Sequence, residues 1–306
     1  MITQRLTMSK ILITGASGLL GTEFCHQLKA AGHEVWAVDN HSRSSTIPPC
    51  DEWHKMDLLA NDRFIGLSSL PLDFDYIYHY GAINGTTNFY KMPNKVLENN
   101  FVSDINIFNF AKKCTNLKRL VYASSSEVVA DDPVSPVPEN SDVFIKDIHN
   151  ARWSYRLAKI TSENFLANSE LPYVMIRYFN VYGENSKKGH FLGDQIDKIK
   201  NGVFSVIGSH ETRSFCHVSD AIRASIYVAE NANRVLVNIG NDREISIGDA
   251  VRVIATELGH PDAVFEELPS MSGSVANRRP DITKLREIMP DYSPMSFEEG
   301  IRQILS

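Results

Sequence analysis

Tyr155 and Lys159 stand four residues apart in YRLAK, a spacing that puts both side chains on one face of a helix. A Lys ammonium beside a phenol favours the phenolate and lowers a pKa that is about 10 in the free side chain. Such a pair exchanges a proton with a substrate hydroxyl near neutral pH. On its own, Y-x-x-x-K is common and reads as an exposed helix pair. The run Ser124-Ser125-Ser126-Glu127 follows directly on the apolar stretch 118–123. Elsewhere a serine run is an ordinary turn, but at the carboxyl end of a strand its hydroxyls and carboxylate face a ligand crevice.

A third constellation lies near the start of the chain. TGASGLLG places Gly15, Gly18 and Gly21 between an apolar run and a helical pattern. In that setting the first glycine serves a tight turn, the second a close backbone approach to a pyrophosphate, and the third helix–strand packing. The helix N-terminus adds free N–H donors and a positive dipole. Asp39 closes the next apolar run, placed to accept hydrogen bonds from an adenosine ribose diol and to repel a 2′-phosphate, which selects NAD over NADP. Arg43 is close enough to meet a phosphate, although a solvated loop arginine is the commoner case. Asp57 meets an adenine amino group or caps a helix.

The elements that must position these residues alternate. KILIT (10–14), EVWAV (34–38), a third strand before Met56, DYIYH (75–79), KRLVYA (118–123) and PYVMIRY (172–178) read as strands, with helical patterns at 18–31, 94–113 and 151–168. This predicts an α/β Rossmann fold, a doubly wound parallel sheet covered by helices on both faces. Beyond Gly183 the pieces shorten: helices at 189–201, 218–231, 246–258, 281–288 and 296–304, and a strand at 235–239. The expected division is a first domain over 1–183, with a return contribution from about 218–240, and a smaller mixed cap over 184–306 interleaved with it.

Composition narrows the class. The chain has 306 residues, 43% hydrophobic and 22% charged, with Lys+Arg 31 against Asp+Glu 37 and a formal charge of −6. Disorder and fibrous classes are excluded, and without a basic excess no nucleic-acid partner is expected. Four scattered cysteines and ten histidines suggest neither a metal site nor a redox dithiol, and a reducing compartment is the simplest assumption. No apolar run is long enough to span a bilayer. The polar opening MITQRLTMSK offers no signal peptide, and Met8 is an alternative start. A cytoplasmic location and no membrane partner are expected.

Taken together, the motifs resemble the extended short-chain dehydrogenase/reductase family, and within it the NAD-dependent nucleotide-sugar epimerases and dehydratases. The resemblance covers nearly the whole chain. Besides TGASGLLG it includes HYGA (79–82), Asn99, SSSEVV (124–129), YRLAK (155–159), RYFNVYG (177–183), TRSFCHVSD (212–220) and RRPDITK (278–284). It implies NAD bound by Gly15, Ser17, Gly18, Leu19, Leu20, Gly21, Asp39, Asn40, Asp57, Leu58, Tyr80, Gly81, Ala82, Asn99, Tyr155, Lys159, Tyr178 and Phe179. It also implies catalysis by Tyr155 as the base, Lys159 as its tuner and Ser125, Ser126 and Glu127 beside them. A nucleoside diphosphate sugar would be held by Thr86, Asn88, Ser125, Asn180, Arg213, Arg278 and Arg279, the arginines on its diphosphate. A homodimer is implied through helices 94–113 and 151–168, with Phe101, Ile105, Phe108 and Phe165 as apolar contacts or as core.

Departures bear on the exact reaction. The family's 4,6-dehydratases carry Thr-Asp-Glu where this chain has Ser125-Ser126-Glu127, which disfavours dehydration. UDP-glucuronate decarboxylases resemble this chain at that point and in the TRSFC stretch. Val129-Ala130 replaces the usual Tyr-Gly. The first expectation is oxidation at C4 to a 4-keto species followed by epimerisation, with net C4 dehydrogenation and decarboxylation open. A reductase of lipid-like carbonyls is opposed by Asp39, Arg213 and Arg278/Arg279, and an NAD-binding sensor without turnover by the intact Tyr155/Lys159 pair.

Overall fold

The run KILIT has an unbroken apolar centre, Ile11-Leu12-Ile13, because its strand is covered on both faces, as parallel strands are. In a computed structural model, described at residues 8–59, 66–130, 133–145, 147–184, 186, 190–270 and 276–306, it forms β1 (Lys10–Thr14). There follow α1 (Leu19–Ala30), β2 (Glu34–Asp39), β3 (Glu52–Lys55), β4 (Tyr76–His79), α2 (Thr86–Lys91), α3 (Pro93–Ala111), β5 (Arg119–Ser125), α4 (Trp153–Ala167) and β6 (Tyr173–Tyr178). The chain continues through β7 (Val181–Tyr182), α5 (Phe191–Lys200), β8 (Ser205–Ile207), β9 (Thr212–Arg213), β10 (Cys216–His217), α6 (Val218–Asn231) and β11 (Val235–Ile239). It ends with β12 (Ile245–Ser246), α7 (Ile247–Glu257), β13 (Glu266–Leu268), β14 (Asn277–Arg278), α8 (Thr283–Ile288) and α9 (Phe297–Leu305).

Seven strands form one sheet in the order β11-β6-β5-β4-β1-β2-β3, and every neighbouring pair is parallel. The strand order reverses between β1 and β4, which opens a crevice at the carboxyl ends of those strands. On one face Phe24, Cys25 and Leu28 of α1 pack with Ala221 and Ile222 of α6 and Leu285 of α8. On the other, Ile107 and Phe108 of α3 and Leu166 of α4 pack with Leu12, Ile77 and Leu120. Each fully buried Leu or Phe contributes about 1.5–3 kcal/mol by its removal from water. A third cluster joins Leu192 and Ile199 of α5, Val206, Ala250 and Ile254 of α7 and Ile301 of α9. Among the described residues no helix is long and apolar enough to cross a membrane.

Two glycines fix the first turn. Gly15 has φ +70°, and a Cβ there would sit 2.6 Å from the backbone of Tyr80 and Gly81. At Gly21 a Cβ would come within 2.2 Å of the Gly15 carbonyl oxygen. The close approach of α1 to the turn, and of the turn to β4, therefore requires glycine at both places.

The stretch NGTTNFY (84–90) contains the short helix α2, whose Phe89 is buried. Of the residues expected at a dimer face or in the core, Phe108 is fully buried and stacks on Phe165 at 5.7 Å, which places it in the core. Phe101 and Ile105 are partly exposed.

Candidate active site

The crevice at the switch point is a cleft lined by the glycine turn, the ends of β2, β4, β5 and β6, and side chains of α3, α4 and α5. At its sheet end, Asp39 Oδ2 accepts the Ser17 N–H at 3.1 Å and Oδ1 the His41 N–H at 2.7 Å. The carboxylate is thus fixed at the mouth of the turn with lone pairs to spare for a ribose diol. Gly15, Ser17, Gly18, Leu19, Leu20, Gly21, Asn40, Asp57, Leu58, Tyr80, Gly81, Ala82, Asn99 and Tyr178 all line the cleft. The N-terminus of α1, whose cap is Gly18 with no capping side chain, offers unpaired N–H donors to a pyrophosphate. These residues fit a dinucleotide. Arg43 also lines the cleft, its Nη2 2.9 Å from His190 Nε2.

Deeper in, Tyr155 is buried to 5% exposure and lies stacked on Phe89, with ring centroids 5.0 Å apart. Burial raises the Tyr155 phenol above its ordinary value, while its hydrogen bond with Ser125 acts the other way. Lys159 Nζ lies 5.9 Å from the Tyr155 ring centroid and is 2% exposed. Burial lowers the Lys159 ammonium, and Asp104 and Glu163 oppose that shift. Ser125 caps the helical turn Ser126–Val129 by accepting the Glu127 N–H at 3.2 Å. That cap aims the Glu127 side chain into the cleft.

Glu127 collects arginines. Arg278 Nη1 stands 2.8 Å and Arg152 Nη2 3.2 Å from its Oε1, and Arg156 Nη2 stands 4.0 Å from Oε2. Burial alone would raise the Glu127 carboxyl, yet Arg278, Arg152 and Arg156 hold it down to about 2. Its folded pKa lies below its unfolded value, so the stabilisation is complete above about pH 4.5 and is lost as pH falls toward about 2. Glu127→Gln is therefore expected to lower the Tm at pH 7, and the gap from the parent to narrow steadily below pH 4.5, in paired calorimetric scans. A gap independent of pH would contradict this ionic account.

Of the remaining sequence candidates, Ser126, Thr86 and Asn180 line the cleft. Asn180 adopts φ +43°, a left-handed conformation that Asn tolerates. Four candidates lie elsewhere. Phe179 is fully buried among Val128, Val129 and Val137, because side chains alternate at a strand end and Tyr178 takes the cleft side. Asn88 of α2 donates to the carbonyl oxygen of Asn84, which precedes the helix. Arg213 pairs with Glu211 at 2.7 Å, and Arg279 lies 3.7 Å from Glu244. Arg152, Arg156, Asn100 and Asp104 escaped the sequence reading. Asn100 is fully buried and clamps Ile83 through both its N–H, at 2.7 Å, and its carbonyl, at 3.0 Å. The i, i+4 spacing of Asn100 and Asp104 in an otherwise apolar helix face was the available signal.

In sequence and in fold the chain is similar to known proteins. Residues 11–240 match the profile of the NAD dependent epimerase/dehydratase family. The UDP-N-acetyl-alpha-D-glucosaminuronate decarboxylase of Bacillus cytotoxicus is 30% identical, over 97% of this chain and 96% of its own. The UDP-N-acetylglucosamine 4-epimerase of Methanobrevibacter ruminantium M1, solved with UDP-N-acetylmuramic acid, superposes with a TM-score of 0.86 at 24% identity, covering 98% of each chain. The UDP-glucuronic acid 4-epimerase of Bacillus cereus, solved with a fluorinated UDP-glucuronic acid and NAD, gives 0.82 at 24% identity, over 97% of this chain and 98% of its own. With the glycine turn, the Asp39 carboxylate and the Tyr155–Lys159 pair in one cleft, and with this match over most of its length, the chain belongs to the NAD dependent epimerase/dehydratase family, and its cofactor is NAD.

Proposed function

We propose that the protein decarboxylates a UDP-hexuronate by way of a C4 ketone. One observation carries the reading: Arg278 lines the same cleft as Ser125 and Tyr155 and is held there by Glu127 through Nη1 at 2.8 Å. A planar carboxylate is the group that a guanidinium fork matches. The decarboxylase relative from Bacillus cytotoxicus, whose name gives a UDP-linked uronate as its substrate, supports the same choice.

The residues divide the work as follows. The glycine turn and the N-terminus of α1 hold the pyrophosphate, Asp39 the adenosine ribose, and Lys159 the nicotinamide ribose. When bound, NAD accepts a hydride from C4 and returns it at the end of the cycle. Ser125 hydrogen-bonds the C4 hydroxyl and Tyr155 takes its proton, the positive charge of Lys159 favouring the phenolate. The C4 ketone makes the C6 carboxylate that of a β-keto acid: the C5–C6 bond breaks, carbon dioxide leaves, and the electron pair passes into the enolate of the C4 ketone. C5 then takes a proton from water, while the proton held by Tyr155 returns to the C4 oxygen when the ketone is reduced. Arg278, seconded by Arg152, orients that carboxylate, and Glu127 holds both guanidinium groups in place. Arg213 and Arg279 leave their carboxylate partners for the substrate diphosphate.

Epimerisation, the first expectation from sequence, uses Tyr155, Ser125 and Lys159 equally well and would leave Arg278 to the substrate diphosphate, with no substrate carboxylate for it to orient. In this reading residues 184–306, apart from the α6–β11 segment, cover the sugar. The enzyme works in the cytoplasm as a homodimer through α3 and α4, where Leu97 and Val102 of α3 are exposed. The mass of the product formed from a UDP-hexuronate tests the proposal.

A further inference from the structure

Behind Lys159 lies a polar constellation that the proposed reaction leaves without a role. Asp104 of α3 is fully buried. Its carboxylate accepts hydrogen bonds from Tyr122 Oη of β5 at 2.6 Å, Ser162 Oγ of α4 at 2.7 Å and His79 Nε2 of β4 at 2.8 Å. With Nε2–H given to Asp104, His79 presents Nδ1 to the Thr14 hydroxyl of β1, 2.6 Å away. Lys159 Nζ lies 3.8 Å from Asp104 Oδ2 and 4.5 Å from the centroid of the Tyr122 ring. Two strands and two helices therefore converge on one carboxylate, next to the residue that flanks Tyr155.

Physical chemistry gives that carboxylate a task. An ammonium in a dry site sheds its proton unless an anion stands close. The other acid near Lys159 is Glu163, but it is engaged by both Arg177 Nε and Nη2, at 2.9 and 2.7 Å, and by the Ser124 hydroxyl. Among the described residues no arginine pairs with Asp104; burial alone would raise its carboxyl, but the nearby Lys159 ammonium and hydrogen bonds from His79, Tyr122 and Ser162 hold it below the usual range. We propose that Asp104 is a positioning residue for the Tyr155–Lys159 pair, the buried counter-ion that keeps the Lys159 ammonium protonated and in place and so sets the pH at which Tyr155 releases its proton. This rests on the reading of Tyr155 as the base.

The charge arithmetic has a definite sign. Asp104→Asn leaves the Lys159 ammonium unpaired, so it deprotonates at lower pH, Tyr155 loses its neighbouring cation, and the phenol keeps its proton to higher pH. The direct loss of a negative charge near Tyr155 would act the opposite way. The test follows the near-ultraviolet phenolate band of the NAD-bound enzyme during a pH titration, with Tyr155→Phe as the blank. In Asp104→Asn the Tyr155 step is expected at least about one pH unit higher than in the parent, and the acid limb of kcat should move with it. A step at the parent's pH, or below it, overturns the proposal.

Should Asp104→Asn fail to fold, the double variant Asp104→Asn/Lys159→Met removes both charges and leaves no lone buried ion. It is expected to fold and to titrate Tyr155 no higher than Lys159→Met alone does, because only the direct effect of the lost negative charge remains. A double variant that also fails to fold, or that titrates Tyr155 higher than Lys159→Met, assigns Asp104 a role independent of Lys159 and overturns the proposal. No sugar enters the titration, so a failure of the decarboxylase reading leaves the result standing. A parent enzyme with no Tyr155 step removes Tyr155 as the base, and this proposal with it.

Discussion

Tyr155→Phe is expected to bind NAD as the parent does and to lose about 10²–10⁴-fold in turnover, the usual worth of a positioned acid–base group. The substitution is mild structurally. The ring keeps its stack on Phe89 at 5.0 Å, and the atom removed is the hydroxyl paired with Ser125. An unchanged Tm and an unchanged NAD titration would establish that the fold and the dinucleotide cleft are intact. Against that background, single-turnover mixing with a UDP-hexuronate should show no rise in NADH absorbance on the parent's timescale. NADH formed at the parent rate would remove Tyr155 from the chemistry and return the pair with Lys159 to an ordinary helix contact.

The second large effect belongs to Arg278. Truncating one member of a buried charge pair costs about 2–5 kcal/mol, which is about 30- to 4,000-fold in an equilibrium or rate constant. Arg278→Met is expected to lose kcat/KM for a UDP-hexuronate within that range, because it takes the fork from the substrate carboxylate and an anchor from Glu127 at once. Arg278→Lys should recover little, since an ammonium is a point charge and cannot engage a carboxylate bidentately. A neutral UDP-hexose, oxidised at C4 to the same small extent by parent and variant, would locate the loss at the carboxylate. Parent-like kcat/KM on the hexuronate in either variant would contradict the assignment.

The parts of this fold that read clearly in sequence are those where local pattern and tertiary role coincide. β1 shows as a continuous apolar run because both its faces are covered, and the glycines after it show because backbone approaches at Gly15 and Gly21 exclude any side chain. α6 occupies Val218–Asn231, the span its periodicity marks, and β11 follows it into the sheet beside β6. Tyr155, Lys159, Ser125 and Glu127 were legible because strand ends and helix faces bring them to one crevice.

What stayed hidden depends on contacts between distant segments. Nothing near Glu127 in sequence announces Arg152 or Arg278, which are brought to it by α4 and β14. α2 begins after Gly85 with no capping side chain, so its local signals are those of a loop, and the burial of Phe89 against Tyr155 decides otherwise. Phe179 shares a motif with Tyr178 but faces the opposite way. The carboxylate of Asp104 acquires its donors from β4, β5 and α4, none of which is adjacent to it in the chain.

If the C6 carboxylate of a UDP-hexuronate leaves after oxidation at C4, its carbon must appear as carbon dioxide. The most direct measurement is incubation of the purified enzyme with UDP-glucuronate labelled with heavy carbon at C6, with mass spectrometry of the sugar nucleotide and of the released gas. Labelled carbon dioxide, a UDP-pentose lighter by that mass, and NAD fully regenerated at the end are expected. A product of unchanged mass with its C4 configuration inverted, the label still in place, would contradict decarboxylation and establish epimerisation.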